Sequence, residues 1–362
     1  MPSRTIDDVL KGLPQGANQL SILPAPPYKP AMSQEASIVE ANCKVGLAVE
    51  SMKHHMTDEG WAIFKGLEQN GWKLYGHGLP LSITSVPTIL SKMPDGGTLL
   101  IQDEREWDVA PKDFRDQRAR FFNPEALNRR DDIFKLTILK DAHQRGMYHR
   151  ESANKMRIHA WVIYYNPRIV KHVAPWVREE HLIRTWHSIN PNNVPEFTSA
   201  PRRGCLLSGA VSAAYPLRRR LVEGSFMLPD TVVLPHPGYH RGGCFTPSFL
   251  IQLSKFKVAI CTSSCFGYAL RKIPEATAAG CIVLTDLPAD EVMPGGIDEN
   301  LVRITSDFNV RRVGNILREL YESYDTEKQA MFSERAKSWY SESMVGKRLS
   351  DDIEALRMKY NG

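Results

Sequence analysis

The stretch 256–288, FKVAICTSSCFGYALRKIPEATAAGCIVLTDLP, restricts the fold more than any other part of the chain. Val258, Ala259, Ile260 and Cys261 form a short apolar run that opens into Thr262, Ser263 and Ser264, the pattern of a buried parallel strand entering a loop. Pro274 in a first turn with Glu275 beside it starts a helix, and Gly280 stops it. Residues Ile282 to Thr285 then form a second buried strand. Strand, loop, helix and strand within about thirty residues make a βαβ unit. Open α/β sheets bind their ligands outside the carboxyl ends of such strands, so this stretch is also where function is expected.

The 362 residues suit two domains of roughly 150 to 200 residues each. Residues 1–38, with LPQG and LPAPPYKPAM, read as a Pro-rich arm or tail that either wraps the body or is disordered. Strands are expected at Cys43 to Val49, Trp72 to Tyr75, Thr98 to Gln102, Ile133 to Leu139, His159 to Tyr165 and His181 to Ile189. A helix over Asp58 to Asn70 follows from Trp61, Phe64 and Leu67 at helical spacing, with Gly71 ending it. Asp103 to Asp132 mixes both charges densely and reads as a solvated, irregular segment. In the second half, strands are expected at Gly204 to Val211 and Thr231 to Leu234. An amphipathic helix follows over Asp307 to Tyr324, and one final helix runs over about Asp325 to Tyr360.

Composition narrows the partners only a little. A net charge of +5 favours anions, and the phosphates of a nucleotide satisfy that as readily as nucleic acid does. Six cysteines, at 43, 205, 244, 261, 265 and 281, show neither paired metal spacing nor the density of a disulfide scaffold. Buried thiols in a reducing compartment fit them better. With no stretch approaching the roughly 18 apolar residues of a membrane helix, and no signal-peptide core, the expected location is cytoplasmic or nuclear.

Ser208, Gly209 and Ala210 form a small-residue turn at a strand end, where backbone amides can approach phosphate closely. Tyr215-Pro216-Leu217-Arg218 opens the helix that follows, so Arg218 stands beside that turn. For Arg219 and Arg220 a solvated cluster is an equal reading.

The run Lys272-Ile273-Pro274-Glu275-Ala276, followed by residues Ala279 to Asp286, resembles the sugar-nucleotide site of GT-B glycosyltransferases of the group 1 and exostosin-like clans. The resemblance implies a fold of two Rossmann-like doubly wound domains facing a cleft. It implies that Glu275 binds the ribose hydroxyls and that Lys272 and Arg271 face the diphosphate; Ser263, in the loop at the end of the preceding strand, is a further binding candidate because ligands sit outside such strand ends. Trp186 to Asn190, with Phe197 downstream, is similar to the turn that ends the N-terminal domain in this family. That puts the boundary in the Pro- and Asn-rich run 190–203, leaving 39–195 as the acceptor domain and 196–340 as the nucleotide-sugar domain. The last stretch, 341–362, would return to the first domain. In the family the segment after Thr231 to Leu234 approaches the base, which makes His236 and Tyr239 candidates for it; a plain Pro-Gly turn is the other reading. Retaining members usually carry a second Glu eight residues before the first, where this chain has Gly267.

Transfer from a nucleotide sugar needs stabilisation of a departing diphosphate and, for inversion, a base on the acceptor hydroxyl. Arg218, Arg271 and Lys272 are the cations for the first task. No metal-binding DxD motif stands in a suitable loop, so the donor, a UDP- or GDP-sugar, is expected to need no further cofactor and no metal. Glu50 and Asp103 each closely follow an apolar strand and are the base candidates, with His187 beside them; lone histidines such as His54 and His55 are more often structural. The acceptor is expected to be a glycan, a protein or a small molecule, and nucleic acid less readily. A catalytically altered relative, such as a sugar-nucleotide epimerase or a nucleotide-sugar binding protein, is the alternative.

Overall fold

The computed structural model describes residues 4–12, 43–48, 59–75, 86–102, 124–140, 146–236 and 246–361. The chain forms two compact units, one from residues 14–186 with 342–362 and the other from residues 1–13 with 187–341.

The first unit holds six strands: β1 (Lys44–Leu47), β2 (Lys73–Tyr75), β3 (Thr98–Ile101), β4 (Phe134–Ile138), β5 (Ala160–Ile163) and β6 (Leu182–Arg184). They form one parallel sheet in the order β2-β1-β3-β4-β5-β6. Every residue of β3 and β5 is buried, which is why these segments read as unbroken apolar runs instead of alternating. Helix Glu59–Glu68 lays Ile63, Phe64 and Leu67 into the core and ends at Gly71, whose φ of +86° is the left-handed conformation glycine adopts without strain. Helix Glu342–Asn361 packs on it through Leu349, Ile353 and Leu356. Gly66 and Gly346 let the two helix backbones touch, and Trp72 Nε1 donates to Ser350 Oγ at 3.0 Å.

The second unit holds β7 (Arg203–Ser208), β8 (Thr231–Leu234), β9 (Phe256–Ile260), β10 (Ile282–Thr285) and β11 (Leu301–Arg303). This sheet is also parallel, in the order β11-β10-β9-β7-β8. From β7 the chain steps to β8 on one side and then crosses to β9 on the other. Strand order therefore reverses at β7 and β9, and a ligand crevice is expected outside their carboxyl ends. The doubly wound, two-sheet architecture expected from the sequence is the one found.

Three local expectations give way. The single final helix is two, Thr326–Trp339 and Glu342–Asn361. The break at Tyr340 and Ser341 has a packing cause: Tyr340 is fully buried, its Oη donates to Pro294 O at 2.9 Å, and its carbonyl accepts from Ile189 N, all in the second unit. Helix Glu342–Asn361 buries its apolar face in the other unit. Within 103–132 the described part contains helix Pro124–Arg129, anchored by fully buried Leu127; residues 103–123 lie outside the described residues. The strand expected over His181 to Ile189 shortens to β6. Of the two readings of the arm, its described residues 4–12 follow the packed one: helix Ile6–Gly12 has Ile6 and Val9 each 1% exposed within the second unit.

Among the described residues no helix is long and apolar enough to cross a membrane.

Candidate functional site

The site is built where strand order reverses in the second unit. β7 ends at Ser208, and Gly209 turns the chain with φ +117°, a conformation that side chains other than glycine rarely adopt. A Cβ on Gly209 would fall 2.5 Å from Lys272 Nζ and 2.6 Å from Arg218 Nη1. Two cations from different helices thus converge on one bare backbone turn.

Each cation is held in place. Arg218, 3% exposed on helix Pro216–Glu223, donates from Nε to Thr262 Oγ1 at 3.0 Å and from Nη1 to Ala210 O at 2.9 Å. Its guanidinium also stacks 4.0 Å over the Tyr215 ring. Lys272 opens helix Lys272–Ala278, is half-buried, and donates from Nζ to Ser208 Oγ at 3.2 Å. These bonds tie the loop after β7 to the loop after β9. Burial, reinforced by the charge of Arg218, pulls the Lys272 ammonium down to about 8 from its usual value near 10.5. A site that disfavours a second cation in this way is short of negative charge. An arriving diphosphate would supply it.

Glu275 is also buried, at 4% exposed, with its Oε1 3.1 Å from Arg271 Nε. Arg271 therefore pairs with Glu275 one turn away on the same helix. His236, just past β8, senses the same cations: burial, then Lys272 and Arg218, hold its imidazole below the usual range and so neutral at pH 7.

Other expected residues lie apart from this cluster. Ser263 is turned towards Asp286, giving its N–H to Asp286 Oδ1 at 2.5 Å and its hydroxyl to the carbonyls of Ser264 and Asp286. Arg219 is exposed and pairs with Glu223 at 2.9 Å. Arg220 donates to the carbonyls of Ser306, Asp307 and Phe308. His187 is 7% exposed near the start of the second unit. Glu50, Asp103, Tyr239, His54 and His55 lie outside the described residues, although β1 and β3, the strands ahead of Glu50 and Asp103, flank the point where order reverses in the first sheet.

Thr262 and Tyr215, legible in the sequence only as a strand end and a helix start, grip Arg218, and Phe249, which carries no sequence signal, has its ring 5.5 Å from Lys272 Nζ. The signal for Thr262 was its place directly after an apolar strand.

No family model matches the chain, and no curated protein matches it by sequence. Solved structures do match along most of its length. A sucrose-phosphate synthase from Thermosynechococcus elongatus matches with a TM-score of 0.54 at 9% identity, over 88% of this chain and 100% of the other. A glycosyltransferase from Rickettsia africae ESF-5 matches at 0.50 and 10% identity, over 87% and 98%. Anabaena Alr3699/HepE, in complex with UDP-glucose, matches at 0.50 and 12% identity, over 86% and 99%. The chain has the GT-B fold.

Within a GT-B chain Gly267 becomes informative. Its φ is +62°, and a Cβ there would lie 2.6 Å from Val9 Cγ2 and 2.9 Å from Pro288 Cγ. Any side chain here would be strained and would have to displace Val9 or Pro288, so the Glu that the resemblance led one to expect of retaining relatives is not accommodated as the loop stands.

Proposed function

We propose that this GT-B protein is a glycosyltransferase that moves a sugar, hexosyl or pentosyl, from a nucleoside-diphosphate sugar to an acceptor hydroxyl. A shared fold leaves the chemistry open, so the reading rests on the site. The observation that carries it is the convergence of Arg218 and Lys272 on the Gly209 turn, outside the carboxyl ends of β7 and β9.

In the reaction the acceptor oxygen bonds to the anomeric carbon, the bond from that carbon to the phosphate oxygen breaks, and the nucleoside diphosphate leaves with the electron pair. Negative charge on the leaving group grows as the bond breaks, and Arg218 and Lys272 lie preorganised to meet it, so no metal ion is invoked for this task. Glu275 accepts from the ribose hydroxyls, and neutral His236 meets the base, with Tyr239 the second candidate for that role. Glu50 or Asp103, each following a central strand of the first sheet, takes the acceptor proton, and His187 is the third candidate. HepE, the neighbour in complex with UDP-glucose, supports a UDP-sugar ahead of a GDP-sugar. Buried Cys205 and Cys261, their thiols pushed up to about 12 by burial, fit a reducing cytoplasmic or nuclear setting. The acceptor is a glycan, a protein or a small molecule.

A second reading, a nucleotide-sugar binder or epimerase without transferase activity, is kept open by Gly267. Incubation with a panel of UDP- and GDP-sugars separates the two. A transferase releases free sugar slowly even without acceptor, whereas a binder shows saturable affinity and no release. Absence of both binding and release across the panel would reject the donor assignment.

A further inference from the structure

We propose that Arg4 is a positioning residue for the donor phosphate turns, acting through the loop after β9; the inference rests on the donor reading above. Residues 4–12 belong to the second unit although the whole of 14–186 separates them from it in sequence. Arg4 Nη2 donates to Cys265 O at 3.1 Å, and the N–H of the same Cys265 donates to Ala214 O at 2.7 Å. One residue of the β9 loop thus links Arg4 to the loop after β7. That second loop supplies Ala210 O to Arg218, and the β9 loop supplies Thr262 to the same guanidinium. Holding Cys265 fixes both ends of the Arg218 side chain's hydrogen-bond frame.

The segment is itself firmly seated. Ala289 N donates to Arg4 O at 2.8 Å, Ile6 N donates to Asp290 Oδ1 at 2.6 Å, and Ile6 and Val9 are each 1% exposed. Val9 fills the space that Gly267 leaves beside the loop, while Pro288 closes the other side. Asp286 completes the arrangement from beneath. Its carboxylate, 1% exposed, accepts from Ser263 N, and although burial pushes its pKa up, the Ser263 bonds and then the Arg4 charge oppose that push. The part of the loop nearest Arg218, residues 262–265, is Thr-Ser-Ser-Cys and is ordered by hydrogen bonds while Tyr268 and Ala269 are buried further on, so the Arg4 clamp on Cys265 decides whether the phosphate-side atoms stay in place.

The test uses the full chain with Arg4→Ala, Arg4→Lys, Gly267→Ala and, as a control on the exposed side of helix Ile6–Gly12, Lys11→Ala. Hydrogen exchange should rise at least about tenfold in peptides covering 262–271 for Arg4→Ala and Gly267→Ala, leaving peptides of β10 unchanged. UDP affinity should fall about tenfold in the same two variants, recover in part with Arg4→Lys, and stay at the wild-type level with Lys11→Ala. Wild-type exchange in 262–271, or a loosened loop with unchanged UDP affinity, overturns the proposal. A uniform rise in exchange across both sheets marks Arg4 as a plain stabiliser and overturns it equally. If the wild-type protein binds no UDP, the donor reading fails, and the exchange arm alone decides whether Arg4 holds the loop.

Discussion

Arg271 Nε lies 3.1 Å from Glu275 Oε1, one helical turn along, and each side chain is only 6% exposed. A buried pair of this kind is costly to break because the surviving charge stays in a poorly solvated place. Arg271→Ala and Glu275→Ala should each lower unfolding free energy by about 3 to 5 kcal/mol, and the double variant by less than their sum. Urea titrations of the three variants check this. Additive losses would mean the two charges do not depend on each other. If Glu275 also holds the ribose, UDP affinity in Glu275→Ala should drop at least about tenfold, beyond any change in Arg271→Ala.

Lys272 is placed to act on the leaving group. Because its interaction with the diphosphate strengthens as the bond breaks, Lys272→Ala should lower kcat about a hundredfold, comparable to losing a preorganised oxyanion donor. Nucleoside affinity, which needs no phosphate, should hardly change. An intact kcat with a raised KM for the donor would make the lysine a ground-state anchor and shift leaving-group stabilisation to Arg218.

The same lysine sets a pH dependence. With the free-site ammonium at about 8, the cation that a diphosphate needs is present below pH 8 and lost above it. Bound phosphate favours the charged form, so binding above pH 8 must take up a proton, and UDP affinity should fall by up to about tenfold per pH unit from there. Calorimetry in buffers of different ionisation enthalpy measures that uptake. Lys272→Ala should flatten the profile, and a slope that survives the substitution would assign it to another group.

Gly209 carries two constraints at once, a φ of +117° and two cation tips within 2.6 Å of where a Cβ would stand. Gly209→Ala should cost about 1 to 3 kcal/mol in stability from backbone strain and should also displace Arg218 or Lys272. UDP binding should therefore be lost even where the variant is folded by circular dichroism. Wild-type affinity in Gly209→Ala would show that the turn is not a phosphate cradle.

Much of this was legible in the chain alone. Buried parallel strands are unbroken apolar runs, so β9, β10, β3 and β5 stood out, and Gly209, Arg218 and Lys272 could be named because strand ends and helix starts have local signatures. Those signatures come from contacts within a few residues, and no partner elsewhere is needed to read them. What needed the tertiary structure was every pairing across long sequence separations. Nothing near residue 4 marks Arg4 as a partner of Cys265, 261 positions away. The break at Tyr340 accompanies its burial and its bonds to Pro294 and Ile189, 46 or more positions away. The role of Arg271 turned on a side-chain direction that sequence spacing allows but does not choose. Local pattern determined the elements and the candidate cations; burial and geometry, which depend on the whole chain, decided which of them meet.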